Sequence, residues 1–482
     1  MSNTYAIPKS ELLEHWGLEP QVFDADEARK EKKLSDVMEL PNWYYEVLGN
    51  INDLDYVIVS GERGSGKSAL RRNITQYCET EIGTEILGGN VLCITMDHDS
   101  PNWIKQSQEK NIPIVDSFCQ QICEEIVISF FTFCDKKKYR DTVSEEEMLL
   151  LERYLYALKE KKPDEVKVMA DSVLSVYKVI KGSEEFRDVI SIIKGIFGKD
   201  IDLDSSTIVS IDPHNDIQRL IDIIIKQGFD AVYVLVDEID EFPETGANTD
   251  YAAEIIASIL SDISLLEKAD LSIKFFLPVS VCLKIDEACQ RLNKEIRYDR
   301  ALHPEPFCMR WTDKSMLDVL RKRLMAYSND KINSFKEFST EDIGDIDNLI
   351  VKYAHHNPRH LIQLCDRIVR ITARTAAKTN YKITQNTFDQ ALDEFTKQLS
   401  NIYPRKELQP ILDMKKEGFS DEEYLQAAHA NVDMDVVNSA LRNLEGLRAI
   451  KTKTNLDGHL RCRVIDPRII YRINKDKDEE DW

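Results

Sequence analysis

Short, almost wholly apolar runs recur along the chain, and between them the pattern changes to helical spacing. Tyr56-Val57-Ile58-Val59-Ser60 is β-branched and apolar, as a strand buried on both faces should be. Asn90 to Met96, Ala231 to Val236 and Leu271 to Leu277 read the same way, and Pro306 to Arg310 is a shorter fifth candidate. Beyond residue 311 these runs stop. Thr312 to Ser328 carries Leu317, Val319, Leu320, Leu324 and Met325 on a broad face, and Gln385 to Ser400 places Phe388, Ala391, Leu392, Phe395 and Leu399 at helical spacing. Strands alternating with helices predict an α/β fold: a mainly parallel sheet with helices on both faces and a ligand at the carboxyl ends of the strands.

The spacing is uneven. The segment from about residue 101 to 212 is longer than one helix and one strand require, and Glu145 through Leu158 continues at helical period. It reads as an inserted helical subdomain that offers a surface for a protein partner or a substrate, with Lys136-Lys137-Lys138 as a solvated loop. Ile126 to Cys134 is the most apolar helix-like stretch, and it is too short to span a membrane.

Residues 403 to 472 form a further small unit. Glu407 to Lys416 predicts a first helix ended by Gly418, Ser420 to Glu423 is a capping box for a second, and Asp433 caps a third. Two strand-like runs follow, Arg448 to Thr454 and His459 to Ile465, joined through Asp457-Gly458, a strong hairpin signal. Three helices and a hairpin read as a winged helix-turn-helix. Residues 473 to 482 read as a disordered acidic tail.

Composition changes the picture mainly through charge. The chain of 482 residues carries a formal net charge of −22, so its whole surface should not attract nucleic acid indiscriminately. From Arg442 to Arg472 the balance is +5, which leaves −27 on the remainder. In the second hairpin strand Arg461 and Arg463 alternate with Leu460, Cys462 and Val464. Together with Lys451 and Lys453 they make a basic face suited to duplex DNA phosphates. The third helix carries Asp433, Asp435 and Glu445, so a winged helix that contacts protein is the alternative. The ten cysteines lack metal-site spacing and read as reduced thiols. The N-terminus resembles no secretory signal, and the expected location is the cytoplasm.

The candidate chemistry sits at two strand ends. Gly61-Glu62-Arg63-Gly64-Ser65-Gly66-Lys67-Ser68 follows the first strand and precedes a helix beginning near Ala69. Glycines let backbone N–H groups converge on phosphate oxygens, and the helix N-terminus adds positive potential. Lys67 would reach the β- and γ-phosphates of ATP, and the Ser68 hydroxyl would ligate Mg2+. A glycine-rich turn that happens to carry Lys-Ser is the bland alternative. Asp237 and Glu238 end the Ala231 to Val236 strand. Asp237 suits the metal and Glu238 the attacking water; a solvated strand end is the alternative. Ser280, after the fourth strand, reads as either a γ-phosphate contact or a plain loop serine.

In His355-His356-Asn357-Pro358-Arg359-His360, Asn357 predicts an N-cap and Pro358 the first helical residue. Arg359 then opposes the helix dipole and calls for an anion, either a γ-phosphate or a nearby carboxylate.

GERGSGKS, VLVDE and NPRHLIQL, in this order and with a helical lid, resemble an AAA+ ATPase. The closest similarity is to the origin-recognition or initiator type, which ends in a winged helix. Residues 44 to 74 are also similar to bacterial P-loop ATPases, some linked to phage or mobile-element defence. The resemblance covers approximately residues 40 to 100 and 214 to 472, and not the insertion. It implies a P-loop NTPase sheet within 51–310, a lead-in over 1–50, a lid over 311–402, ATP hydrolysis with Mg2+, and a homo-oligomer. In that family an arginine from a neighbouring subunit completes the site; Arg297 and Arg300 fall in the corresponding region. If neither acts, related signalling ATPases that hydrolyse slowly and work as switches are the better analogy.

Overall fold

The structure is a computed structural model that describes residues 6–97, 103–134, parts of 144–154, 212–246, 248–294, 306–376, 378–428, 433–455 and 459–478. Arg297, Arg300, the three lysines 136–138 and most of the expected insertion lie outside the described residues. The chain divides into two compact units. One comprises residues 41–61 and 70–308, the other residues 1–40, 62–69 and 309–482.

The first unit is built on five parallel strands: β1 (Val57–Gly61), β2 (Val91–Met96), β3 (Ala231–Asp237), β4 (Leu271–Pro278) and β5 (Phe307–Cys308). Their order across the sheet is β2-β3-β4-β1-β5. All seven residues of β3 are buried, because a central parallel strand is covered on both faces. Helices Ile114–Cys134, Pro213–Lys226 and Thr249–Leu260 supply Phe118, Ile122, Leu220, Ile224 and Ile256 to the core that holds Leu92, Val234 and Ile273. Parallel pairing turns the carboxyl ends of β1, β3 and β4 to one edge, where β1 runs into the glycine loop and β3 into Asp237.

In the second unit residues 1–40 of the lead-in are an integral layer, while residues 41–50 belong to the first unit. Leu12, Leu13, Trp16, Val22 and Phe23 share one core with Leu320, Leu324, Ile350, Leu364 and Phe388 from helices Asp313–Ala326, Ile346–Ala354, Pro358–Thr375 and Gln385–Thr396. A buried Arg323–Glu31 ion pair, with Tyr327 also on Glu31, ties the two segments. The C-terminal part has helices Arg405–Met414, Asp421–Ala427 and Met434–Gly446 and a three-stranded antiparallel sheet. Its strands are β6 (Gly418–Ser420), β7 (Ile450–Thr454) and β8 (Leu460–Val464), ordered β6-β8-β7.

Two features depart from expectation. Gly418 opens β6 and does not simply end a helix, whose C-cap is Lys415 in the left-handed region. The expected tail is helical as far as Asp478, in the helix Pro467–Asp478, and Lys475 pairs with Asp393 at 2.6 Å. Ile469 and Ile473 anchor that helix in the C-terminal core, which lifts it out of the behaviour its charge alone suggests.

Candidate functional site

The glycine loop has the backbone a phosphate cradle needs. Gly64 and Gly66 adopt φ of +83° and +100°, which side-chain-bearing residues rarely sustain. A Cβ on Gly64 would lie 2.7 Å from Asn357 Oδ1 and 2.9 Å from Arg359 Cβ, so this glycine also permits a close approach. Three consecutive loop carbonyls are held by donors from its own unit. Asn357 Nδ2 donates to Arg63 O at 2.8 Å, Arg359 N–H to Gly64 O at 3.4 Å, and Trp311 Nε1 to Ser65 O at 2.7 Å. A trans peptide points its N–H opposite its carbonyl, so this fastening turns the Gly64 and Gly66 amides away from these donors, while the Ser65 amide stays on the Glu62 carbonyl at 3.1 Å. Ser65 Oγ is buried without a hydrogen-bond partner, and Lys67 Nζ rests on the Glu62 carbonyl at 3.1 Å. An orphaned buried hydroxyl beside a lysine fits a polyanionic ligand. Helix Lys67–Cys78 begins within the loop and directs its N-terminus there.

The Asn357 cap forms as expected, accepting from the Arg359 and His360 amides. Arg359 Nε donates to the Asp26 carbonyl at 3.3 Å, while Gln363 holds the Asp26 carboxylate at 2.8 Å. The lead-in therefore supplies an acceptor to this arginine. Its sequence carries no signal for that role, since the acceptor is a main-chain oxygen.

At the end of β3, Asp237 is 2% exposed. Its Oδ1 accepts the Glu238 N–H at 2.8 Å, and its Oδ2 accepts Arg71 Nε at 3.1 Å. Arg71 also reaches Asp97 Oδ2 at 3.2 Å. Neither Arg71 nor Asp97 stands out in the sequence, because their pairing depends on which strands are neighbours. Glu238 is half-buried and holds φ of +59°, a left-handed conformation that is costly for a glutamate and that clusters at functional sites. Asp237 offers a carboxylate and Ser68 a hydroxyl, both hard oxygen donors of the kind Mg2+ prefers. Ser280 lies in the single turn Val279–Cys282 after β4. Among the described residues no group of three or more metal-ligating side chains is assembled.

The hairpin register sharpens the basic face. Lys451 stands opposite Arg463 and Lys453 opposite Arg461, all four exposed, while Cys462 and Val464 are buried. Like charges directly opposite one another destabilise a sheet, so this pairing favours an external anion. Other cations of the +5 segment are taken internally. Arg472 pairs with Asp393 at 3.1 Å and Arg448 with Glu62 at 3.4 Å. Arg468, 2% exposed, binds Asp466 at 2.6 Å and donates to His360 Nδ1 at 2.8 Å. Burial, with Arg468 beside it, pushes the His360 imidazole down to about 3, so it stays neutral and accepts that bond. Glu62 is pushed above the ordinary carboxylate range by burial, against the pull of Arg448, Arg468 and Lys67. Among the described residues no helix is long and apolar enough to cross a membrane.

No family model matches the chain, and no curated protein matches its sequence. Among solved structures it is similar to Cdc6p from Pyrobaculum aerophilum, at 12% identity and a TM-score of 0.33, over 95% of this chain and 99% of that one. That likeness assigns neither a residue nor an activity to this chain.

Proposed function

We propose that this protein binds and hydrolyses ATP as an AAA+ P-loop ATPase and uses its nucleotide state to control engagement of DNA through a C-terminal winged helix. The observation that carries the reading is the loop Glu62–Ala69. It has two left-handed glycines, an orphaned buried Ser65 hydroxyl, and a lysine at the start of a helix that follows a buried strand.

In this reading the amides of Gly64 and of Gly66 to Ala69 hold the phosphates, and the Ser65 amide joins them on leaving the Glu62 carbonyl. Lys67 moves from the Glu62 carbonyl to phosphate oxygens, gaining a charged acceptor for a neutral one. Ser68 and Asp237 would hold Mg2+, which when bound neutralises charge on the phosphate oxygens. Glu238 takes the proton of the attacking water and orients it toward the γ-phosphorus. Arg359 turns from the Asp26 carbonyl to the γ-phosphate and so reports its presence. A homo-oligomer with a trans-acting Arg297 or Arg300, and a role in phage or mobile-element defence, belong to the same reading by resemblance.

A second reading is favoured by one surface feature. Val436, on the third C-terminal helix, is 55% exposed beside the exposed Asp435, a face better suited to protein than to a groove of phosphates. There the protein is a slow nucleotide switch whose winged helix contacts a protein partner.

The two readings separate on Glu238→Gln. With ATP retained and hydrolysis blocked, mass measurement with and without a duplex should show an oligomer accumulating on DNA. A monomer indifferent to DNA in every condition sinks the first reading and leaves the switch.

A further inference from the structure

The register of the parallel sheet brings together two carboxylates that lie 140 positions apart. Met96 pairs with Val236, so Asp97 leaves β2 beside Asp237 at the end of β3. Two neighbouring carboxylates with little solvent repel one another. Arg71 bridges them. It lies in the helix Lys67–Cys78, with its side chain 9% exposed, and its planar fork sends Nε to Asp237 at 3.1 Å and Nη2 to Asp97 at 3.2 Å. The guanidinium thus holds both carboxylates in fixed positions at the end of the strand pair.

We propose that Asp97 and Arg71 are positioning residues of the metal carboxylate. Asp97 anchors Arg71, and Arg71 fixes the rotamer of Asp237 so that Oδ atoms are presented to Mg2+. The proposal rests on the nucleotide reading above and extends it to a residue on a second strand. Arginine is required because a lysine ammonium, a point charge, cannot span two carboxylates with fixed geometry.

The test measures thermal stabilisation by ATP, across a Mg2+ titration and separately in EDTA, for the full chain and for Asp97→Asn, Asp97→Glu and Arg71→Lys. Asp97→Asn is nearly isosteric, and Asp97→Glu keeps the charge. We expect Asp97→Asn and Arg71→Lys to raise the Mg2+ concentration for half-maximal effect about tenfold, as loss of an outer-shell partner does. ATP stabilisation in EDTA stays as in the parent chain, and Asp97→Glu recovers most of the Mg2+ response. Mg2+ curves identical to the parent's in both Asp97→Asn and Arg71→Lys overturn the proposal. So does an equal loss with and without Mg2+, which marks a merely structural bridge. A parent chain that ATP does not stabilise in any condition removes the nucleotide reading, and this inference with it.

Discussion

In the five-stranded sheet Lys274 lies wholly buried on β4, its Nζ 3.0 Å from Ser272 Oγ and 4.2 Å from the centre of the Tyr233 ring. In the three-stranded sheet Lys451, Lys453, Arg461 and Arg463 stand exposed in two directly opposed pairs. The same kind of charge is thus handled in two ways. A parallel sheet covered on both faces has no wet surface for a cation, so Lys274 relies on a hydroxyl, a ring face and nearby acids. An antiparallel sheet with one open face presents its cations as a surface. The first sheet can host function only at its strand ends; the second can do so across its face.

The largest effect is expected at the strand end. Lys67→Ala should weaken ATP binding by roughly a hundredfold, since a charged hydrogen-bond partner is removed from a polyanion site. Calorimetric titration checks this, and undiminished affinity removes the loop from the site.

An effect of comparable size, on stability and not on binding, is expected at Lys274 itself. Burial pulls its ammonium down to about 8 from an ordinary 10.5. Between those values the unfolded chain binds more protons, so stability rises with pH across that window, and below pH 8 the whole penalty is present. Lys274→Met should therefore stabilise the fold at pH 7, by up to about 3 kcal/mol at ~1.4 kcal/mol per pKa unit, seen as a higher melting temperature, and flatten the rise between pH 8 and 10.5. A variant no more stable than the parent would mean that Ser272 and Tyr233 fully offset the burial.

The smallest effect is expected on the open face. Arg461→Ala with Arg463→Ala should weaken duplex binding and lower its salt dependence by about one unit of slope for each phosphate no longer neutralised. Fluorescence anisotropy at several salt concentrations reads this. An unchanged slope favours the protein-binding reading of the winged helix.

Much of the sheet was legible because buried parallel strands are continuous apolar runs, and β1 to β4 coincide with such runs to within a residue or two. The caps at Asn357, Ser420 and Asp433 were legible because capping depends on neighbours within three positions. Lys274 passed unnoticed inside an apolar run, since nothing local marks a buried lysine. β6 was missed because a three-residue strand has too few positions to show a period. The lead-in gave no hint of its place under the helices of its unit, where Trp16 stacks on Phe338 at 4.6 Å.

Local chemistry, then, was written in the chain. Glycines that accept a positive φ, a lysine and serine at a helix start, and acids at a strand end each depend only on adjacent residues. Tertiary structure decided which distant groups share a charge. Both carboxylates that Arg71 holds lie outside its own segment, and only the pairing of β2 with β3 sets Asp97 beside Asp237 within its reach. Likewise, only the folded second unit takes Arg448, Arg468 and Arg472 out of the basic surface and leaves four cations on the hairpin. Coulombic partners are chosen by distance in space, and sequence separation carries no information about that distance until the strands are paired.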